Sequence, residues 1–506
     1  MRRRAALINL GFHWVGTGLL VLQGLLLTPV YARLIPLDLL GAWMATGNVV
    51  AWLTLIDPNI SRVLQQRIAR AAGAGNEQEI ASLVAAGHVL GFGVGLAMAA
   101  FIPAVPVLLR YVPGAGSAPA ELEASLVVSL AATGTLIASF APGMVNVGLQ
   151  RTFLAGIITA GATVVGVVFT FYALLAGWGL VSLPGGLLVR SSILFVLNAA
   201  SVYVSRWRVT RWRIAPTWLE IRALLGPSGY TFLERFGQAM TGQVEPMAIA
   251  FAAGASTTAQ YSITSRPLEP IRMTVDRVLP ALAPGLSHLA GERGNEAVAG
   301  VIGKVYGPLG GLASIGVAAV TLASGPLVTL WAGPGTFAGY AVAAAVGVAA
   351  VGSSLASPAG EILYALGDVR SVALGRILEG ALRIVAQVVG ALVFGSIGII
   401  LGGVLATSGV ALAWMNPRAE RAMKISAGGI NRRYLQSLLL GAAAVVTASL
   451  GGGAAFRGTS TTANWSILAV AMAGAVGVSL LGLFLWPGLR RESIALAGSF
   501  RRGRSE

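Results

Sequence analysis

The sequence predicts an all-α polytopic membrane protein of about fourteen transmembrane helices, and three observations carry that prediction. Of 506 residues, 56% are hydrophobic and only 11% charged, too apolar for a soluble domain with one core and a wettable surface. Apolar runs of about 20 residues, the length that crosses ~30 Å of hydrocarbon, recur along the whole chain. Basic residues gather in alternate connections, 26 of the 35 lysines and arginines falling on one side of the runs. The positive-inside rule makes that side cytoplasmic and places both termini there, in agreement with an even helix count.

In order, the runs predict helices over 5–28, 37–56, 80–108, 121–143, 152–177, 182–204, 222–250, 258–284, 299–328, 338–365, 374–394, 398–416, 434–454 and 464–486. The first follows Met1-Arg2-Arg3-Arg4 like a signal peptide, but it is too long and lacks a small-residue cleavage site. Arg62, Arg67 and Arg70 close the second connection, and Arg206, Arg208, Arg211 and Arg213 fill the one after the sixth helix. Arg418, Arg421, Lys424, Arg432 and Arg433 lie between the twelfth and thirteenth. The opposite side holds little beyond Arg33, Arg110, Arg190 and Arg457, with Pro113-Gly114-Ala115-Gly116 and Gly451-Gly452-Gly453 as turn chemistry, so its loops are short. Trp178, Trp331, Trp414, Trp465 and Trp486 near the helix ends read as interfacial anchors.

The chain also aligns with itself. At a constant offset of 219 residues Asp57 falls on Asp276, Gly75-Asn76-Glu77 on Gly294-Asn295-Glu296, Gly148 on Gly367 and Arg151 on Arg370. Two homologous six-helix lobes follow, 1–210 and 211–425, with 426–506 adding helices 13 and 14 and a basic cytoplasmic tail. Both copies begin in the cytoplasm, so the repeats are parallel, related by an axis along the membrane normal, and a cavity between lobes is expected.

Against this apolar background the stretch Tyr261–Glu296 stands out. Arg266, Glu269, Arg272, Asp276 and Arg277 fall within an arc of roughly 140° at 100° per residue, with Leu268, Ile271, Val275, Val278 and Leu282 opposite. An intramembrane charge costs at least ~2.5–3.5 kcal/mol at the bilayer centre, so such a stripe implies partners, a watered cavity or a charged ligand. The seventh helix adds Glu234, Gln238, Thr241 and Glu245 on one face, and the eleventh Arg376, Glu379, Arg383 and Gln387. Asn9, His13 and Gln23 punctuate the first helix and Asn48 the second. Glu269 with Arg272, Arg272 with Asp276, and Glu379 with Arg383 are spaced to form internal ion pairs of purely structural value. Arg266, Arg272, Arg277 and Arg383 nevertheless outnumber the carboxylates near them, and guanidinium forks suit phosphate oxygens. The residues expected to bind substrate are therefore Arg266, Arg272, Arg277 and Arg383, with Glu234, Gln238, Asn9 and Asn48 admitting its polar part. Glu269, Asp276 and His13 are the expected positions for a coupling cation, Na+ or H+.

Other classes fit poorly. A net charge of +16 suggests nucleic acid, yet the arginines mark membrane topology rather than a basic patch with interleaved aromatics. With no cysteine and three histidines, thiolate metal sites are excluded and no cofactor is called for. A glycan-polymerising or ligating enzyme needs a large outer loop or a paired His/acid site, and His13, His88 and His288 form no such group. A drug/cation antiporter calls for an acidic cavity, against the arginine balance.

Short runs carry a resemblance: Pro29-Val30-Tyr31-Ala32-Arg33-Leu34 followed by Leu40-Gly41-Ala42-Trp43, Ile68-Ala69-Arg70 to Gly75-Asn76-Glu77, Tyr261-Ser262 through Arg266 to Leu279-Pro280, and Leu366-Gly367-Asp368-Val369-Arg370. In these the chain resembles the bacterial polysaccharide (O-antigen type) lipid-linked oligosaccharide flippases of the multidrug/oligosaccharidyl-lipid/polysaccharide flippase superfamily. The resemblance implies a V-shaped, alternating-access bundle that carries polyprenyl-diphosphate-linked sugars across the inner membrane for surface polysaccharide such as O-antigen lipopolysaccharide or exopolysaccharide. It implies no enzymatic activity, a monomer, and glycosyltransferase or polymerase partners. Arg266 corresponds by position to a cavity arginine of the related peptidoglycan-precursor flippases. Gln23 and Gly24 stand where those relatives carry an arginine and an aspartate, which favours another glycan.

Overall fold

The structure, a computed structural model, describes residues 18, 22–53, 60–112, 119–149, 151–204, 216–225, 229–456, 466, 469–470 and 473–474. Among them there is no β-strand, and the chain is an all-α polytopic membrane protein. Its α-helices longer than seven residues are α1 (22–34), α2 (Leu37–Leu53), α3 (Ile60–Gly73), α4 (Glu77–Ala100), α5 (Pro119–Gly148), α6 (Thr152–Leu175), α7 (Ser182–Val204) and α8 (Trp218–Leu225). There follow α9 (Gly229–Ala253), α10 (Ala255–Ser265), α11 (Glu269–Arg293), α12 (Asn295–Ala332), α13 (Tyr340–Ala365), α14 (Val369–Val410) and α15 (Gly429–Phe456).

Eight helical segments of the described residues are long and apolar enough to cross a membrane. The segment Val369–Ala422 is 54 residues long, about 80 Å at ~1.5 Å per residue, far more than one crossing needs. It is a hairpin. Phe394 and Gly395 leave helical geometry, Gly395 with φ +58°, and the chain folds back. A Cβ on Gly390 would lie 2.0 Å from the Gly398 carbonyl oxygen, and one on Gly402 2.4 Å from that of Ala386, so the two arms touch backbone to backbone. This turn falls between the expected helices 374–394 and 398–416. The helices α9 and α11, each 25 residues, are long enough to cross but carry the charges.

Two short helices depart from the expected spans: α3 lies between two of them, and α8 takes up the first residues of the expected 222–250. The 14-residue α3 and 8-residue α8 are too short to cross. Amphipathic α3 seats Leu64, Ile68 and Ala71 in a core with Ile80, Leu83, Val84, Ala141 and Val145, turning Arg70 outward. The expected helix 258–284 is divided in three: α10, a 3₁₀ turn Arg266–Leu268, and α11. Pro267 and Pro270 have no N–H to give the carbonyls one turn back, and the Glu269 N–H tightens onto the Arg266 oxygen. Most of the expected fourteenth helix, 464–486, lies outside the described residues.

The chain packs as two compact units, Met1–Arg235 with Gly254–Ala259, and Phe236–Ala253 with Gln260–Glu506. Moved by 219 residues, the limits of α6 become 371–394, those of α14's first arm to within two residues, and those of α5 become 338–367, enclosing α13. Gly75 (φ +66°) and Gly294 (φ +82°), equivalent under that shift, both take a positive φ, in the junctions from α3 to α4 and from α11 to α12.

Candidate functional site

The polar residues of the second unit assemble around Glu245. The first arm of α14 runs beside α9 in the same direction: a Cβ on Gly237 would meet the Arg376 backbone at 2.5 Å, and one on Gly380 the Met240 Cβ at 2.6 Å. Those two glycines let the helices close, and one to two turns further on Glu245 comes opposite Arg383 and Gln387. Arg383 Nη2 donates to Glu245 Oε2 at 2.5 Å, and Gln387 Nε2 reaches the same oxygen at 3.4 Å. The Tyr261 hydroxyl, brought by α10, donates to Oε1 at 2.5 Å. Glu245 is 5% exposed.

The chain of contacts continues through the hairpin. Arg383 Nη1 donates to Thr407 Oγ1 at 3.4 Å, Thr407 Oγ1 donates to Glu379 Oε1 at 2.7 Å, and Arg376 Nη1 donates to Glu379 Oε2 at 2.8 Å. Both carboxylates are buried, and two guanidinium groups balance them. Gln387 Oε1 and Arg383 Nε are buried with no hydrogen-bond partner among the described residues.

This corrects one expectation. Glu379 pairs with Arg376 at i−3 and not with Arg383 at i+4, because Arg383 is drawn to Glu245 on another helix, 138 residues away in sequence. Arg383 is therefore a neutralised cation, and the surplus of positive charge lies on α11 and the turn before it. Arg266 pairs with Glu269 at 3.1 Å, the two side chains 37% and 40% exposed. Arg272 is exposed and makes no ion pair among the described residues. The expected Glu269–Arg272 and Arg272–Asp276 pairs are not found among the described residues. The opposite face is apolar as expected: Leu268 and Val275 are buried and Ile271 packs beside them.

Of the other expected site residues, Glu234 and Gln238 stand on α9, half-buried and exposed respectively. Asn9 and His13 lie outside the described residues, and so do the side chains of Asn48 and Arg277. His88 is a satisfied buried histidine, its Nδ1 2.7 Å from the Val84 oxygen. Sequence reasoning missed Tyr261 and Thr407 as members of the network. Glu245 was legible on the polar face of α9 but not as its centre. Arg190, expected in an outer loop, lies inside α7.

Neither a protein-family model nor a curated protein sequence matches the chain. Solved structures match it in fold. The lipid II flippase MurJ in an inward closed conformation superposes with TM-score 0.64 at 14% identity, over 94% of this chain and 98% of that one. An inward-facing multidrug resistance MATE family transporter of the MOP superfamily gives TM-score 0.61 at 15% identity, over 83% of this chain and 100% of that one. A MATE transporter of Vibrio cholerae gives 0.57 at 16%, over 86% and 99%. At these identities what is shared is the fold.

Proposed function

We propose that the chain is an alternating-access flippase that moves a polyprenyl-diphosphate-linked oligosaccharide from the cytoplasmic to the outer leaflet of the bacterial inner membrane, for surface polysaccharide synthesis. Its lobes are 1–210 and 211–425, with both termini in the cytoplasm. The observation that carries this reading is the arginine arrangement at the Arg266–Leu268 turn. Arg272 has no ion pair among the described residues, and the glutamate that Arg266 meets, Glu269, is itself half-exposed. A charge left without a counter-ion at membrane depth is a functional position by default, and a diphosphate is the anion that two guanidinium forks fit. Arg383 joins the diphosphate only on leaving Glu245, so substrate and Glu245 compete for it. The fold match to a lipid flippase supports the same reading.

Moving two uncompensated negative charges outward down ~100 mV contributes about 4–5 kcal/mol at ~2.3 kcal/mol per charge, and cation binding at Glu269 or Asp276 resets the carrier. The test is flipping of a fluorescent polyprenyl-diphosphate oligosaccharide in proteoliposomes. Arg266→Ala abolishes flipping while leaving the fold intact, since an ion pair this exposed contributes at most about 1 kcal/mol. Unimpaired flipping by that variant sinks the diphosphate assignment. A second reading, a cation-coupled multidrug antiporter, is favoured by the two buried carboxylates Glu245 and Glu379 and by the MATE fold matches. Proton- or sodium-driven efflux of an organic cation from the same vesicles, with no lipid flipping, decides for it.

A further inference from the structure

Arg190 is a cation at membrane depth that the proposed mechanism does not use. It stands in the third turn of α7, eight residues past Ser182, about 12 Å along the axis at ~1.5 Å per residue. The helix lies in a span that is long and apolar enough to cross a membrane. Arg190 emerges from the closest approach of α6 and α7. A Cβ on Gly166 would lie 2.8 Å from the Arg190 Cβ and 2.9 Å from the Gly186 oxygen, and one on Gly186 2.7 Å from the Gly166 oxygen. The glycine contact fixes the root of the side chain.

Among the described residues its head has no protein partner. Nε is buried without a hydrogen bond, and among the described residues no acceptor and no carboxylate reaches the guanidinium. The nearby polar groups are already committed. Thr170 Oγ1 donates to Gly166 O at 2.9 Å and Ser191 Oγ to Leu187 O at 2.7 Å. Glu121, at the same end of the unit, accepts from the Leu180 N–H at 2.6 Å. The other three arginines resolved at membrane depth with an ion pair, Arg266, Arg376 and Arg383, each have a glutamate. A guanidinium fixed at its root and left without an anion is costly in an apolar surrounding unless a ligand supplies one.

We propose that Arg190 is a phosphate-binding position of the first unit, engaging two oxygens of a lipid phosphate through its planar fork. On the orientation proposed above it lies in the outer half of the membrane, where it receives the diphosphate after translocation. That role rests on the flippase reading; the phosphate chemistry does not. A bulk lipid headgroup would supply the same oxygens.

Purified protein in nanodiscs, or lipid titrations followed by native mass spectrometry, separates the sources. Wild type, Arg190→Gln and Arg190→Lys are titrated with undecaprenyl diphosphate, phosphatidylglycerol and phosphate-free diacylglycerol. Arg190→Gln is expected to weaken undecaprenyl diphosphate binding roughly tenfold, about 1.4 kcal/mol, with Arg190→Lys between it and wild type and diacylglycerol unaffected. Weakening confined to the diphosphate assigns the position to the transported lipid, and equal weakening for phosphatidylglycerol assigns it to bulk lipid. Unchanged binding of both phosphate lipids by folded Arg190→Gln overturns the proposal. Should that variant misfold, Arg190→Lys reads the same comparison. If wild type shows no preference for the diphosphate over phosphatidylglycerol, the flippase reading fails while the phosphatidylglycerol titration still tests Arg190.

Discussion

Replacing Glu245 by Gln leaves the Arg383 charge buried without its counter-ion, and the cost follows from the contacts. Three donors converge on the carboxylate: the Tyr261 hydroxyl, Arg383 Nη2 and Gln387 Nε2. Only one oxygen of the amide accepts, and its NH2 faces donors. Three membrane hydrogen bonds at an average of about 0.6 kcal/mol set a lower bound near 2 kcal/mol. Breaking a buried ion pair from one side costs about 3–5 kcal/mol in soluble proteins. An expected loss of about 3 kcal/mol lies between these estimates. Arg383→Met should cost less, because Glu245 keeps Tyr261 and Gln387 and a carboxylate can take up a proton, whereas a guanidinium does not lose one. The double variant Glu245→Gln/Arg383→Met should then be no less stable than Glu245→Gln alone. The assay is reversible unfolding by a denaturing detergent in mixed micelles, read as a double-mutant cycle. Additivity of the two single losses to within about 0.5 kcal/mol refutes the argument, because coupled partners must depart from it.

Other expectations rest on single contacts. Gly390→Ala places a Cβ against the Gly398 backbone, which cannot rotate away, and should destabilise the hairpin by about 1–3 kcal/mol or more; Gly409→Ala, with open space around it, is the near-neutral control in the same unfolding assay. Glu420→Ala removes the acceptor of the Gly428 and Ile430 N–H groups, at 2.8 and 2.6 Å, and should cost about 2–3 kcal/mol while opening the turn before α15 to protease, read by limited digestion.

What the sequence made legible was local. Run length and hydropathy place a helix at 152–177 where α6 spans Thr152–Leu175, and at 182–204 where α7 spans Ser182–Val204, because crossing a membrane demands a continuous apolar segment. Partnership between helices was not legible. The i, i+4 spacing of Glu379 and Arg383 predicts a pair, and nothing in that spacing reveals that α9 delivers a competing carboxylate. Thr407 was hidden in an apolar run, where a hydroxyl gives no periodic signal. Arg190 was counted with the outer loops although the expected span 182–204 encloses it. Pro184 occupies the first turn of α7, where its missing N–H costs nothing, and Gly186 serves close packing.

The 219-residue offset separates what the fold requires from what it does not. Displaced by 219 residues, Glu245, Arg376, Glu379, Arg383, Gln387 and Thr407 coincide with Leu26, Ile157, Ala160, Val164, Val168 and Leu188. The first unit therefore builds equivalent helices with apolar side chains at every one of those positions. Buried ion pairs replaced by apolar residues of similar volume are often neutral or even stabilising. Glu245→Leu combined with Arg383→Met should accordingly give a folded protein with stability near wild type, in contrast to Glu245→Gln alone. Its transport in proteoliposomes should be lost, because nothing in the packing explains why charge was retained there. A double variant that is both stable and fully active would return the network to architecture, and leave the α11 arginines to account for transport without Arg383.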